Sequence, residues 1–232
     1  MIFKRKYLIL CICVILCAFA ALSVTYGVKA AAADGGRVVV VDAGHGGRDG
    51  GVTGKVTGVR ESDLNLKYAF LLKASLEKQG FKVIMTRTTE AGLYDAAAAL
   101  SEESRKSQDM KRRKEIILNS KPACVISLHM NFFSQSSPRG AQVFYNASNP
   151  ESKKLSAAIQ NKLNIVNGEY AGKKISNLPG DYYMIKCTDY SSVIIECGFL
   201  SNADDERLLL NEAYQSKLIY EITNGVLVYC FR

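Results

Sequence analysis

Val38-Val39-Val40-Val41-Asp42-Ala43-Gly44-His45-Gly46-Gly47-Arg48-Asp49-Gly50-Gly51 is the stretch from which the fold of this 232-residue chain is read. Four consecutive β-branched residues form a run that is stable only with both faces covered, as in a buried strand of an α/β sheet. The run ends in a carboxylate and a glycine-rich turn that carries one of only two histidines in the chain. Glycine lets the backbone turn sharply there and leaves the imidazole free to face a ligand.

Outward from this strand, strand-like and helix-like segments alternate over residues 37–232, with no repeat and no low-complexity linker. A helix is expected over Asp63–Gln79, capped by Ser62 or Asp63 and stopped by Gly80. Strands are expected at Phe81–Arg87, Ala123–Leu128 and Ala141–Asn146, and short ones at Tyr182–Lys186 and Ser192–Glu196. Ala96–Asn119 reads as a charged, solvated helix that docks through Ile116, Ile117 and Leu118. Glu151–Val166 and Tyr214–Val228 read as further helices. The pattern predicts an α/β fold: a single domain with a central mixed, mostly parallel sheet flanked by helices on both faces. In such sheets function gathers at the carboxyl ends of the strands.

The N-terminus is a separate object. Lys4, Arg5 and Lys6 precede an apolar run from Tyr7 to about Leu22, followed by Ser23-Val24-Thr25-Tyr26-Gly27 and then Val28-Lys29-Ala30-Ala31-Ala32-Ala33, whose small residues fit an A-x-A pattern. This reads as a signal peptide or an N-terminal membrane anchor over residues 1–33, and the remainder is exported in either case. The domain proper is then residues 37–232. The formal charge of +8 rests on 30 basic and 22 acidic residues. Lys4, Arg5, Lys6 and Lys29 belong to the leader, so 26 basic residues face 22 acidic ones in the remainder, a net +4. Of seven cysteines, Cys124, Cys187, Cys197 and Cys230 stay with the domain. Cys124 and Cys197 lie in apolar runs and are expected as buried thiols. A near-average composition, 48% hydrophobic and 22% charged, excludes wholesale disorder and a polytopic membrane protein. The basic stretch Lys111-Arg112-Arg113-Lys114 is read as the solvated face of a helix, and nucleic-acid binding is not expected.

Three strand ends carry polar chemistry. His45 follows the first strand; Cys124-Val125-Ile126-Ser127-Leu128-His129-Met130-Asn131 ends on the second histidine. Val193-Ile194-Ile195-Glu196 places a carboxylate after three apolar β-branched residues, where burial without a partner or a task is costly. Glu61 stands at the start of the first helix. Two imidazoles and one carboxylate, His45, His129 and Glu61, are the three-ligand set of catalytic zinc sites. Glu196 supplies a second carboxylate able to take and return a proton. Together they suit metal-assisted hydrolysis of an amide. The same residues also fit a zinc carboxypeptidase or deacetylase acting on another cell-wall bond, or, in another class, a non-catalytic exported wall-binding module.

The chain resembles the zinc-dependent N-acetylmuramoyl-L-alanine amidases, and among them the germination-specific enzymes of the spore cortex. The resemblance rests on Asp42-Ala43-Gly44-His45-Gly46-Gly47 with Asp49 and Gly51, then Glu61 opening a helix and Thr86-Arg87 after a strand. It continues through Arg113, Ser127-Leu128-His129-Met130-Asn131, Glu196-Cys197-Gly198-Phe199-Leu200-Ser201-Asn202 and Glu206. It implies Zn2+ on His45, Glu61 and His129, with Glu196 as catalytic acid/base. Asn131 and Arg113 would be supporting or substrate-side residues. The implied reaction is hydrolysis of the amide between N-acetylmuramic acid and L-alanine of peptidoglycan. The implied setting is spore cortex maturation through muramic lactam formation, with an accessory or regulatory protein as a partner some relatives use. With no wall-binding repeats after residue 232, targeting is expected from the leader, the modest positive charge or such a partner.

Overall fold

The computed structural model describes residues 37–97 and 101–231; the expected leader lies outside them. Strand β1 (Val38–Ala43) is the valine run, and all but its first residue are buried. Helix α1 (Glu61–Lys78) follows, then β2 (Lys82–Met85), α2 (Glu102–Ser120), β3 (Cys124–Asn131), β4 (Gln142–Tyr145) and α3 (Pro150–Tyr170). The chain continues through β5 (Leu178–Pro179), α4 (Tyr183–Lys186), β6 (Ser192–Phe199), α5 (Ala203–Leu210) and α6 (Glu212–Cys230). The strands form one sheet in the order β2-β1-β3-β6-β4-β5. The first four run parallel, and β4 lies antiparallel to β6. The sheet is therefore mixed and mostly parallel, with helices on both faces.

Side chains alternate between the faces with period two. On one face Val39, Val41, Ile126, Leu128, Val193 and Ile195 join the main core with residues of α1, α3 and α6, each such burial contributing about 1.5–3 kcal/mol. Cys124 and Cys197 are buried in that core, as expected. On the other face a smaller cluster gathers Val40, Val125 and Ile194 with Ile117 of α2 and Met184 and Ile185 of α4. Two residues further along each strand that face turns polar, at Asp42, Ser127 and Glu196, with His129 after Ser127. The functional end of the molecule is thus where the smaller cluster stops.

Four sequence expectations are corrected. Helix α1 begins at Glu61, and neither Ser62 nor Asp63 caps it. The preceding residue is extended Arg60, and loop carbonyls satisfy the first amides: Glu61 N donates to Val52 O at 2.9 Å and Ser62 N to Gly50 O at 3.1 Å. Tyr182–Lys186 is a single helical turn rather than a strand, because adjacent Met184 and Ile185 both pack on the smaller cluster, which a period-two strand cannot arrange. Helix α2 is not solvated up to Ile116: Asp109, Arg113 and Ile117, spaced by four, form a buried stripe. Arg113, read as part of a solvated basic face, is fully buried. Strand β5 and helix α5 were not expected; Asn202 caps α5 by accepting from Asp204 N and Asp205 N at 3.0 Å. No helix among the described residues is long and apolar enough to cross a membrane.

Candidate metal centre and active site

His45 leaves β1 in a left-handed conformation, φ 60°, which is uncommon for a residue bearing a Cβ and marks functional sites when the surroundings enforce it. The turn is closed by Gly46 N donating to Asp49 O at 2.8 Å. The imidazole is held from both sides, with Nδ1 2.8 Å from Asp49 Oδ2 and Nε2 3.3 Å from Glu61 Oε1. A carboxylate on Nδ1 fixes the ring orientation that turns Nε2 toward Glu61.

Glu61 is the hub. Its Oε1 lies 3.0 Å from His129 Nδ1 and accepts from Met130 N at 3.2 Å and Asn65 Nδ2 at 3.3 Å; Oε2 accepts from Val52 N at 3.0 Å. The two imidazoles stand edge to face, with centroids 5.0 Å apart. Ligand atoms of His45, Glu61 and His129 lie within 4.8 Å of one another, the one such group of three among the described residues. Two glycines make the approach feasible. A Cβ on Gly44 would sit 2.2 Å from the His129 ring, and one on Gly51, at φ +64°, 2.3 Å from Glu61 Oε2.

The charges are strongly coupled. Burial opposes the His45 imidazolium, but Asp49 and Glu61 outweigh it and raise the pKa to about 10. Burial likewise disfavours the Glu61 carboxylate, yet the two histidines hold its pKa well below the usual range. The locus therefore favours added positive charge.

Glu196 is the register partner of His129 across the β3–β6 ladder. Its Oε2 is buried and has no hydrogen-bond partner. Burial, reinforced by Glu61 and opposed by His129 and His45, raises its pKa to about 7. A buried carboxyl oxygen left unpaired calls for a functional explanation. It lines a cavity of about 280 Å3 together with His45, Glu61, His129, Asn131 and Phe132. On the far side of His45 lies a wider hollow of about 570 Å3, lined by Arg48, Asp49, Tyr94, Glu102 and Lys106 among others.

Of the remaining expected residues, Arg113 lies behind the site and does not reach its cavity. Its guanidinium pairs with Asp42 and Asp109 and donates to Ala43 O at 2.8 Å and His45 O at 2.6 Å. Asp42 also accepts from Thr86 Oγ1 and Ser127 Oγ, each at 2.6 Å. Asn131 reaches the cavity; its Oδ1 accepts from Phe132 N at 2.8 Å.

The sequence reading assigned no role to several supporting residues. Arg87 donates to Ala43 O, Gly44 O and Ser62 O at 2.8–3.0 Å. Asn65 bridges Gly44 O and Glu61. Glu206 accepts from Val56 N at 2.8 Å and from Thr57 N and Oγ1 at 2.7 Å, pinning the loop that leads into Glu61. The available signal was a charged residue at a strand end, as for Thr86-Arg87, and for Glu206 its place in the motifs of the resemblance, which gave it no role; for Asn65 no pattern distinguishes it from an ordinary helix residue.

A mostly parallel α/β sheet with two imidazoles, a shared carboxylate and an unpaired buried acid at its strand ends has the layout of a hydrolase. The chain belongs to the N-acetylmuramoyl-L-alanine amidase family, whose model matches residues 39–228. It is 34% identical to the germination-specific N-acetylmuramoyl-L-alanine amidase of Bacillus subtilis strain 168, over 84% of this chain and 80% of that protein. The structure of the CwlD amidase from Clostridioides difficile in complex with the GerS lipoprotein matches with a TM-score of 0.78 and 36% identity, over 83% of this chain and 98% of that one. An N-acetylmuramoyl-L-alanine amidase from Clostridium difficile 630 matches with a TM-score of 0.72 and 27% identity, over 84% and 97%.

Proposed function

We propose that this chain is a zinc-dependent enzyme that hydrolyses the amide joining the lactyl group of N-acetylmuramic acid to L-alanine, with His45, Glu61 and His129 as metal ligands and Glu196 as the proton-transferring residue. The observation that carries this reading is the convergence of three ligand atoms within 4.8 Å beside the unpaired Glu196 carboxyl oxygen. Two imidazole nitrogens and one carboxylate oxygen, with no cysteine among them, suit a catalytic zinc that keeps a position open. When bound, zinc polarises the scissile carbonyl and acidifies a water molecule next to it.

The chain's own residues do the rest. Asp49 orients His45, and the Met130 and Val52 amides orient Glu61. Glu196, on the strand beside His129, accepts the proton of the attacking water and delivers it to the departing alanine nitrogen.

The likeness to the germination-specific enzyme of B. subtilis supports a cellular setting. We assign the protein to peptidoglycan of the spore cortex, outside the cytoplasmic membrane, with residues 1–33 as its export leader or anchor. The GerS lipoprotein complex of the C. difficile relative supports an accessory protein as partner. Arg113 is a positioning residue. The test is Glu196→Gln, assayed by muropeptide mass analysis with metal content measured in parallel. Retained zinc with no release of L-alanine amino termini is expected. A fully active variant would sink the assigned mechanism, and loss of a terminal amino acid or an acetyl group from the wall would sink the amidase.

A further inference from the structure

The 280 Å3 cavity is lined by two kinds of side chain: the polar His45, Glu61, His129 and Glu196, and an apolar and aromatic set, Val52, Met130, Ile194, Phe132 and Tyr182. Phe132 and Tyr182 come from unrelated segments, the exit of β3 and the residue before α4. Both stay exposed at 38% and 40%, and the next residues, Phe133 and Tyr183, are more exposed still. Single exposed aromatics need no explanation, but a cluster at the mouth of one cavity marks a binding surface.

The rings are held in place without being covered. Lys55 Nζ stands 5.3 Å from the Phe132 ring centroid, and Phe144 meets Tyr182 edge to face at 5.5 Å. Asn131 stands two residues after His129 on β3 and so shares its side of the sheet; the register shift beyond His129 places the extra residue on β6. The Oδ1 of Asn131 accepts from Phe132 N, and the residue lines the same cavity, where its carboxamide N–H groups can serve as donors.

We infer that the aromatic residues of this lining form a subsite for an N-acetylated pyranose ring of the glycan strand, which rests on Phe132 and Tyr182 while Asn131 donates to its acetamido carbonyl. The inference deepens the amidase reading and rests on it. The scissile amide has a sugar on one side and a peptide on the other. The peptide bears polar and charged groups, and the hollow beyond His45, where Arg48 and Lys106 stand among Asp49, Glu102 and Glu103, is of mixed charge. A pyranose ring offers C–H faces for aromatic rings and an amide for a carboxamide. The Phe132 and Asn131 pair supplies both.

The test uses the zinc-loaded protein and a peptide-free tetrasaccharide of alternating N-acetylglucosamine and N-acetylmuramic acid as competitive inhibitor of peptidoglycan cleavage. The wild type should be inhibited. Phe132→Ala should weaken inhibition about three- to tenfold, the range for losing one aromatic contact, and its loss on polymeric substrate should fall on KM rather than kcat. Phe132→Tyr keeps the ring and should keep the inhibition constant; Asn131→Ala should weaken it independently. A tetrasaccharide that does not inhibit the wild type, or that inhibits Phe132→Ala equally well, overturns the subsite. Failure of the amidase reading is seen separately, as a wild type that leaves the muramoyl amide uncut.

Discussion

Replacing Arg113 by Met isolates the energetics behind the site. Arg113 is fully buried, and so is its partner Asp42. Methionine keeps much of the length but removes the cation, stranding Asp42 with only two hydroxyl donors, Thr86 and Ser127. Asp109 is stranded less severely, since its side chain is 10% exposed. Breaking a buried pair from one side costs about 3–5 kcal/mol, which for a domain of this size lowers Tm by about 6–20 °C.

The sign with pH follows. In the wild type burial would raise the Asp42 pKa, but Arg113, helped by Ser127 and Thr86, holds it below its ordinary 3.8. That group therefore contributes stability above the unfolded pKa and loses it as pH falls through the lower folded value. Without Arg113 burial dominates and the folded pKa rises above the unfolded one. The deficit of the variant should already be present near pH 4, where the wild type has gained its share, and should grow further as pH rises to 7 and burial penalises the unpaired carboxylate. Denaturant unfolding of Arg113→Met from pH 4 to 7 measures this, and adding Asp42→Asn should recover at least half of the loss at pH 7. A deficit below about 1 kcal/mol, one that does not change with pH, or no recovery in the double variant refutes the argument.

Gly44→Ala would place a methyl group 2.2 Å from the His129 ring. We expect a folded protein by circular dichroism that holds less than one-tenth of the wild-type zinc and activity, read by metal analysis and dye release from labelled peptidoglycan. Glu206→Leu removes three hydrogen bonds from the 53–58 loop. It should cost about 2–3 kcal/mol in chemical denaturation and open a tryptic cut after exposed Lys55, which the wild type resists. Chelation should abolish amide cleavage and lower Tm, because a metal bound only by the folded state stabilises it by mass action; added zinc should restore both in a calorimetric titration.

The valine run, the two histidines at strand ends and Glu196 after Ile195 were legible because each violates a packing preference unless the strand is buried and its end is used. Sheet membership and the grouping of the proposed metal ligands follow from that logic. The capping of α1 was not legible. Its amides are satisfied by carbonyls of Gly50 and Val52, and backbone acceptors leave no trace in side-chain identity. The turn at Tyr183–Lys186 was misread because a four-residue apolar segment fits either period until the cluster it packs on is known. Arg113 was hidden among three other basic residues, and only the register of α2 against β1 selects it for burial.

The order of synthesis gains meaning from the Glu206 clasp. All three proposed metal ligands exist once residue 129 has been made, and Glu196 follows. Yet the loop that leads into Glu61 is pinned by a side chain about 150 positions downstream. A nascent or clipped chain that ends short of residue 206 has the full set of ligands but lacks this clasp. The loop is then secured only after nearly the whole chain has emerged, so hydrolytic competence comes late in the assembly of the molecule.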